Sequence, residues 1–325
     1  MQKSTFQPSR RSALGLLGAT LILPRAAFGA EIATLSGHAF GTTWRLVTAS
    51  DVDIARLRPM IEHLFGEVDR VFSPWRADSI IARFNASSTE APISNAELAN
   101  VTEAALTIAR QSDGAFDPTV GPLVARWGFG PIHEGGAPDW RGLSADAEMI
   151  RKTRDDLTLD LCGIAKGWAL DRAADRIEEA GVSSFLLEVG GEFIARGQHP
   201  NARDWRVAID TPDASVGASP TIRLPSGAAV ATSGLWTQSY RLDDRLYSHI
   251  IHTGTAAPVS GALRSVTVVA ENAMSADGWA TALCAAGAEA GPDLATSMNL
   301  AAFFLIEDGG VLRSVETGPI HEVLL

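Results

Sequence analysis

Segments of helical and strand periodicity follow one another irregularly along this chain. That order excludes the repeated strand–helix–strand unit that builds parallel sheets. DIARLRPMIEHLFGEVDRVF places Ile54, Leu57, Ile61, Leu64, Val68 and Val71 at steps of three and four, which predicts an amphipathic helix. SNAE, Ser94–Glu97, carries a capping-box pattern and predicts a second helix with Leu98, Val101, Ala105 and Ile108 on one side. A third helix is predicted from Ile164 to Ala180, stopped by Gly181, and a fourth in SADGWATALCAAG. Between them lie strand-like runs: TTWRLVTA (Thr42–Ala49), SFLLEV, WRVAID, AVATS, SVTVVA and AFFLIED. Residues 128–143 are rich in Gly and Pro and read as a long loop. The expected class is α+β, a mixed or antiparallel sheet core with helices packed on it.

Residues 1–29 differ from the rest. A twin arginine (Arg10, Arg11) precedes an apolar run from Ala13 to Leu23, and small residues follow at Ala27 and Gly29. The run is shorter than the ~20 residues a membrane span needs. It reads as a signal peptide of the Tat type, with a folded body over 30–325, a periplasmic destination and no transmembrane span in the mature chain. The whole chain carries a net charge of −11. Residues 1–30 hold four basic residues and no acid, so the remainder stands at −15. An acidic body of this kind is a poor partner for nucleic acid. Two cysteines in 325 residues, Cys162 and Cys284, do not make a disulfide framework.

Three stretches can carry chemistry. In MSADGWATAL, Asp277 and Thr281 stand one helical turn apart on one face. A carboxylate and a hydroxyl there are hard oxygen donors suited to Mg²⁺, although the same pair also reads as a solvated face. Gly278 inside that helix suggests close backbone approach. In LDLCGIAKG, Asp160, Gly163 and Lys166 crowd a helix entrance, where free N–H groups and a cation can take phosphate. No Walker loop and no G-x-G-x-x-G is present. SDGAFDPTVGPLVARWGFG is the third dense patch. His249 and His252 in YSHIIHTG point to opposite faces if the segment is a strand, which argues against zinc and leaves His249 beside Ile251.

Taken in order, FGTTWRL, FSPWRADSIIARFN, SDGAFDPTVGPLVARWGFG, LDLCGIAKGWALDRAADRI, LLEVGGEFIARG, AVATSG, SHII and ADGWATAL resemble the ApbE-like FAD:protein FMN transferases. The resemblance implies a mixed α+β body that takes FAD and joins its FMN half through a phosphoester to a Thr or Ser hydroxyl of an acceptor flavoprotein. AMP leaves and Mg²⁺ is required. The implied acceptor is a flavoprotein domain of a membrane respiratory complex, facing the periplasm. By the same resemblance, Asp160 and Lys166 would contact FAD, with Ala115, Phe116, Asp117, Trp75, Phe40 and Ile251. Gly163 (through its carbonyl), Asp277 and Thr281 would hold the metal. The acceptor's proton would go to Asp277 or His249. Where the family usually continues Asp-Pro-Arg-Thr-Gly, this chain reads His252-Thr253-Gly254-Thr255-Ala256 and lacks the arginine. The competing readings are a periplasmic FAD-binding or donor protein that transfers nothing, and a Mg²⁺-dependent FAD pyrophosphatase.

Overall fold

Among the described residues, eight strands pair into one sheet, antiparallel throughout. In spatial order they are Ile32–Ala39, Thr42–Ala49, Phe185–Val189, Glu192–Arg196, Ala229–Gly234, Leu263–Ala270, Ala301–Asp308 and Val311–Thr317. The sheet is thus the antiparallel form of the expected α+β core. The computed structural model describes residues 31–325 except 90, 212–218 and 244; the expected signal peptide, 1–29, lies outside the described residues.

Side-chain alternation splits the core into two layers. Ala229 and Ala231 point into the large cluster beneath the helices, while Val230 joins Trp205, Ile222 and Ile320 on the other face. Two hairpins turn through pairs of left-handed residues, Phe40–Gly41 (φ 53° and 73°) and Gly190–Gly191 (63° and 103°). Such turns match the twist of the strands they join. Phe40 is the unusual member, since a bulky side chain rarely occupies that conformation.

Among the described residues, six α-helices accompany the sheet: α1 (Arg58–Phe72), α2 (Ile80–Asn85), α3 (Ala96–Gln111), α4 (Gly121–Arg126), α5 (Ala165–Glu179) and α6 (Ala273–Ser297). α1 starts later than its apolar pattern, because residues Ala55–Leu57 form a 3₁₀ turn first. The cap of α3 is Asn95, whose side chain accepts the Leu98 N–H at 2.8 Å. Ser94, the expected cap, pairs with Met149 in a small three-stranded sheet instead. The first helical segment of α6 ends where expected, at Gly287 (φ 85°), and a second segment, not expected, follows it to Ser297. Trp205–Ala208 pairs with Thr221–Leu224 in a separate ribbon rather than joining the main sheet. Residues 128–142 are irregular apart from one 3₁₀ turn at Trp140–Gly142. Among the described residues no helix is long and apolar enough to cross a membrane.

α5 and α6 pack against each other and on one face of the sheet, α5 over Glu192–Arg196 and α6 over Ala229–Gly234 and Leu263–Ala270. Their entrances meet there. Asp171 of α5 caps α6, accepting the N–H of Ala273 at 2.7 Å and of Met274 at 2.9 Å. Gly278 admits α3: a Cβ there would lie 2.5 Å from Ile108 Cδ1.

Candidate functional site

The seam between α5 and α6 is close because glycine lines it. A Cβ on Gly167 would lie 2.2 Å from the Ala273 carbonyl oxygen. The bare backbone lets Gly167 N–H donate to Asp277 Oδ2 at 3.0 Å, which fixes a carboxylate at the mouth of α5. One turn further along α6, Thr281 meets Gly163: a Cβ on Gly163 would lie 3.1 Å from Thr281 Oγ1 and 3.3 Å from the Phe116 ring. Ser233, from the sheet, stands 3.4 Å from Thr281 Oγ1. Gly163, Asp277 and Thr281, distant in sequence, therefore occupy one corner. Ser233 was not singled out in the sequence, although it lies in AVATSG.

These donors are all oxygen: a carboxylate, two hydroxyls and the backbone at Gly163. Among the described residues no group of three or more His, Cys, Asp or Glu side chains could hold a metal. A cation here would instead take one carboxylate and neutral oxygens and fill its shell from water and phosphate. That donor set suits Mg²⁺.

Lys166, on the first turn of α5, contacts Glu192 Oε1 and lies 3.7 Å from Asp277 Oδ1. Burial works to lower the lysine, but the charges of Asp277 and Glu192 outweigh it and hold the ammonium above its ordinary range. Burial pushes the Glu192 carboxyl up, against the pull of Lys166. The proton of the pair stays on the lysine. Glu192 is 3% exposed, and its second oxygen, Oε2, has no hydrogen-bond partner. Sequence reasoning missed it, because an acid opening a strand reads as a solvated edge. The one available signal was its place directly after the Gly190–Gly191 turn.

The expected phosphate cradle of free amides is mostly spent. Ala165 N–H donates to Leu161 and Gly167 N–H to Asp277, so anion attraction at this entrance rests on the Lys166 ammonium. Asp160 is held by its own backbone: its N–H donates to Pro118, and its Oδ1 accepts the Cys162 N–H at 3.0 Å. Asn85, at the end of α2, braces the preceding residue by bonding both the N–H and the carbonyl of Leu159. Asp117 is turned inward, where it accepts the N–H (2.8 Å) and hydroxyl (2.6 Å) of Thr119; burial raises it and those bonds oppose the rise. Phe116 is buried against Gly163, with Ala115 half-buried beside it. Cys162 and Cys284 are free thiols. Burial and then the charge of Asp160 push Cys162 up, and burial alone pushes Cys284 to about 12.

His249 falls between the strands Arg245–Ser248 and Ile251–His252, not within one, so the expected face-sharing with Ile251 does not arise. Its Nδ1 donates to the Gln238 carbonyl at 3.1 Å. A carbonyl only accepts, so the neutral ring carries its proton on Nδ1 and leaves Nε2 as a free base. Burial lowers its pKa, with Lys166 adding to the effect. Ile251 is buried and pairs with Pro258. Phe40 packs edge-on to Phe65, ring centres 5.4 Å apart, and Trp75 is 64% exposed. These contacts of Trp75 and Phe40 do not involve the Asp277 corner, whereas the strand Ile251–His252 packs against α6, the helix that carries it.

The departing loop 252–256 is tied down. Thr253 Oγ1 donates to Gly114 at 3.0 Å and Trp127 Nε1 to Ala256 at 3.0 Å. Thr253 and Gly254 line a cavity of about 530 Å³ with Asp117, Trp140, Arg126 and Arg141. Two arginines from other segments thus face the space beside the loop that lacks one.

The ApbE family model matches residues 40–304 of this chain. The chain is 34% identical to a protein of Klebsiella pneumoniae named FAD:protein FMN transferase, over 90% of this chain and 92% of that one. It is 31% identical to the Escherichia coli K12 protein of the same name, over 90% and 89%. Among solved structures, the flavin transferase ApbE from Vibrio cholerae superposes with a TM-score of 0.81 at 30% identity, covering 90% of this chain and 99% of that one. The flavinyl transferase ApbE of Pseudomonas stutzeri, in its apo form, gives 0.81 at 32% identity, covering 90% and 97%.

Proposed function

This chain belongs to the ApbE family, and from that premise we propose that it is a FAD:protein FMN transferase acting on a flavoprotein acceptor. In finer detail, the acceptor is a periplasm-facing domain of a membrane respiratory complex, modified on a Thr or Ser hydroxyl. AMP is released, and the reaction depends on Mg²⁺. The twin-arginine start at residues 1–29 supports export by the Tat route.

The observation that supports this reading best is the corner where Gly163, Asp277 and Thr281 adjoin Lys166. Lys166 is the one cation facing the two acids Glu192 and Asp277, so by itself it is a weak attractor for a diphosphate. A divalent cation held by Asp277, Thr281 and Gly163 would make that corner positive and stabilise charge building on the phosphates. The remaining work falls to side chains already in place. Lys166 adds an ammonium for the phosphate oxygens. His249 Nε2 takes the proton of the acceptor hydroxyl as its oxygen bonds the phosphorus on the riboflavin side. The bond from that phosphorus to the bridging oxygen breaks, and AMP carries the electron pair away. Asp277, tied to Gly167 N–H and facing Lys166, fits the metal better than the base. Arg126 and Arg141 supply cations for the far half of the dinucleotide in the cleft beside Asp117.

The test is incubation with FAD, Mg²⁺ and an acceptor domain, followed by in-gel flavin fluorescence after denaturation and by the mass of the adduct. An FMN-sized mass increment on the acceptor is expected, and Asp277→Ala should abolish it while the protein stays folded. Bound FAD with no covalent product would overturn transfer. Free FMN and AMP without adduct would make the chain a pyrophosphatase. Undiminished transfer by the variant would remove Asp277 from the metal site.

A further inference from the structure

A buried carboxylate with one partner is expensive to keep, and Glu192 is such a group. It opens the strand Glu192–Arg196, is 3% exposed, and spends Oε1 on Lys166 while Oε2 bonds nothing. Lys166 has a second carboxylate within reach, Asp277, whose Oδ2 is already taken by Gly167 N–H. Oδ1 is therefore the oxygen of Asp277 left for a cation, and the ammonium at 3.7 Å is the group that competes for it.

We propose that Glu192 is a positioning residue that draws the Lys166 ammonium off Asp277 Oδ1 and so keeps that oxygen open to the divalent cation. The proposal rests on the reading of Asp277 as a metal ligand. The geometry carries it: Lys166 sits closer to Glu192 than to Asp277, and the two acids reach it from different elements, one from the sheet and one from α6. Without the sheet carboxylate, Asp277 becomes the remaining ion-pair partner of the lysine. The ammonium then closes on Oδ1, and a cation must displace it. Glu192 need not touch metal or flavin to have this effect.

The experiment is a double-mutant cycle read by calorimetric titration of MgCl₂ into the chain without flavin, each variant first checked by thermal melting. Glu192→Gln should weaken Mg²⁺ binding about 10-fold, the scale seen when a residue behind a metal ligand is lost. In a Lys166→Met background the same change should have no further effect, since no ammonium remains to fall onto Asp277. Glu192→Asp, which keeps the charge but cannot reach Lys166 from the same backbone, should behave like Glu192→Gln. Equal weakening in both backgrounds, or wild-type affinity in Glu192→Asp, would mean that the carboxylate acts by its own charge and would overturn the proposal. Absence of Mg²⁺ binding to the wild type would instead overturn the reading of Asp277 itself, and this inference with it.

Discussion

Gly167→Ala sets two effects of opposite sign against each other. Alanine in a helix interior is favoured over glycine by about 1 kcal/mol, so helix propensity alone predicts a more stable protein. The seam predicts the reverse. The new Cβ would lie 2.2 Å from the Ala273 oxygen, 2.5 Å from its carbonyl carbon and 2.7 Å from Met274 Cα, where ordinary contact begins at 3.4 Å. All three atoms are backbone, so no rotamer relieves the overlap and the two helices must part by about 1 Å. Overpacking of this kind costs roughly 1–3 kcal/mol. Stretching the bond from Gly167 N–H to the Asp277 carboxylate adds up to about 1.5–3 kcal/mol. After the propensity gain, a net loss of about 1.5–5 kcal/mol remains, or roughly 2–8 °C in Tm for a body of this size. Displacing Asp277 by about 1 Å should also slow FMN transfer ~10²-fold. Gly66→Ala in α1 is the control: its Cβ would meet nothing nearer than Arg70 Nη1 at 4.0 Å, so it should gain stability and keep full activity. Thermal melts and initial transfer rates of both variants decide the matter. A Gly167→Ala protein that is stabilised like the control and transfers at the wild-type rate would refute the argument that the seam positions Asp277.

Replacing His249 by Asn should lower kcat by about 10²–10⁴ with little change in FAD affinity. Because burial lowers the imidazole, the wild-type kcat should fall only as pH drops through a value below 6.5, and an acid limb above that value would contradict His249 as the base. Burial raises Asp171 from 3.8 to about 6. The folded state therefore holds a proton there that the unfolded chain has lost, and stability from this group is present at low pH and fades as pH rises through about 6. Asp171→Asn keeps one acceptor for the α6 amides, so the Tm advantage of the wild type over this variant should shrink from pH 4 to pH 7; an advantage that grows with pH would exclude the assigned direction.

Much of this was legible in the residues. Apolar stripes at helical spacing located α1 and α5, and short runs rich in apolar and β-branched residues located five of the eight main strands, because those patterns record which side chains must be buried. Strand order was not legible. Trp44 opposite Val189 and Ala229 opposite Ile194 are joined across long stretches of chain that local pattern does not constrain. Ser94 and Asn95 are both good caps, and the choice fell to Asn95 only because Ser94 was taken up in pairing with Met149. Gly287 ends the first segment of α6 as its sequence suggests; the second segment beyond it was not legible, and it buries Ala295 in the core. At the site, the one-turn spacing of Asp277 and Thr281 announced a shared face. Glu192 offered only its place after the Gly190–Gly191 turn and Ser233 no signal of its own, since each acquires its partner only when the sheet lies beneath α5 and α6.

The site divides into a part fixed by backbone and a part that side chains can adjust, and the division follows the chemistry each has to do. Asp277 and Thr281 ride on backbone located by contacts in which glycine permits main chain to meet its neighbour: Gly167 on Ala273, Gly163 on Thr281, Gly278 on Ile108. Positions set this way cannot drift by a rotamer change, and stabilising a developing phosphate charge tolerates little drift. The opposite side is built from the irregular segment 128–142 and the turn 252–256, held by single hydrogen bonds such as Thr253 to Gly114 and Trp127 to Ala256. Each of those bonds is worth about 1 kcal/mol, little enough for a large ligand or an acceptor polypeptide to rearrange on binding. Arg126 and Arg141 reach that space from other segments of the chain. No such freedom exists at Gly167, where the neighbour is a carbonyl of the helix that carries the proposed metal ligands.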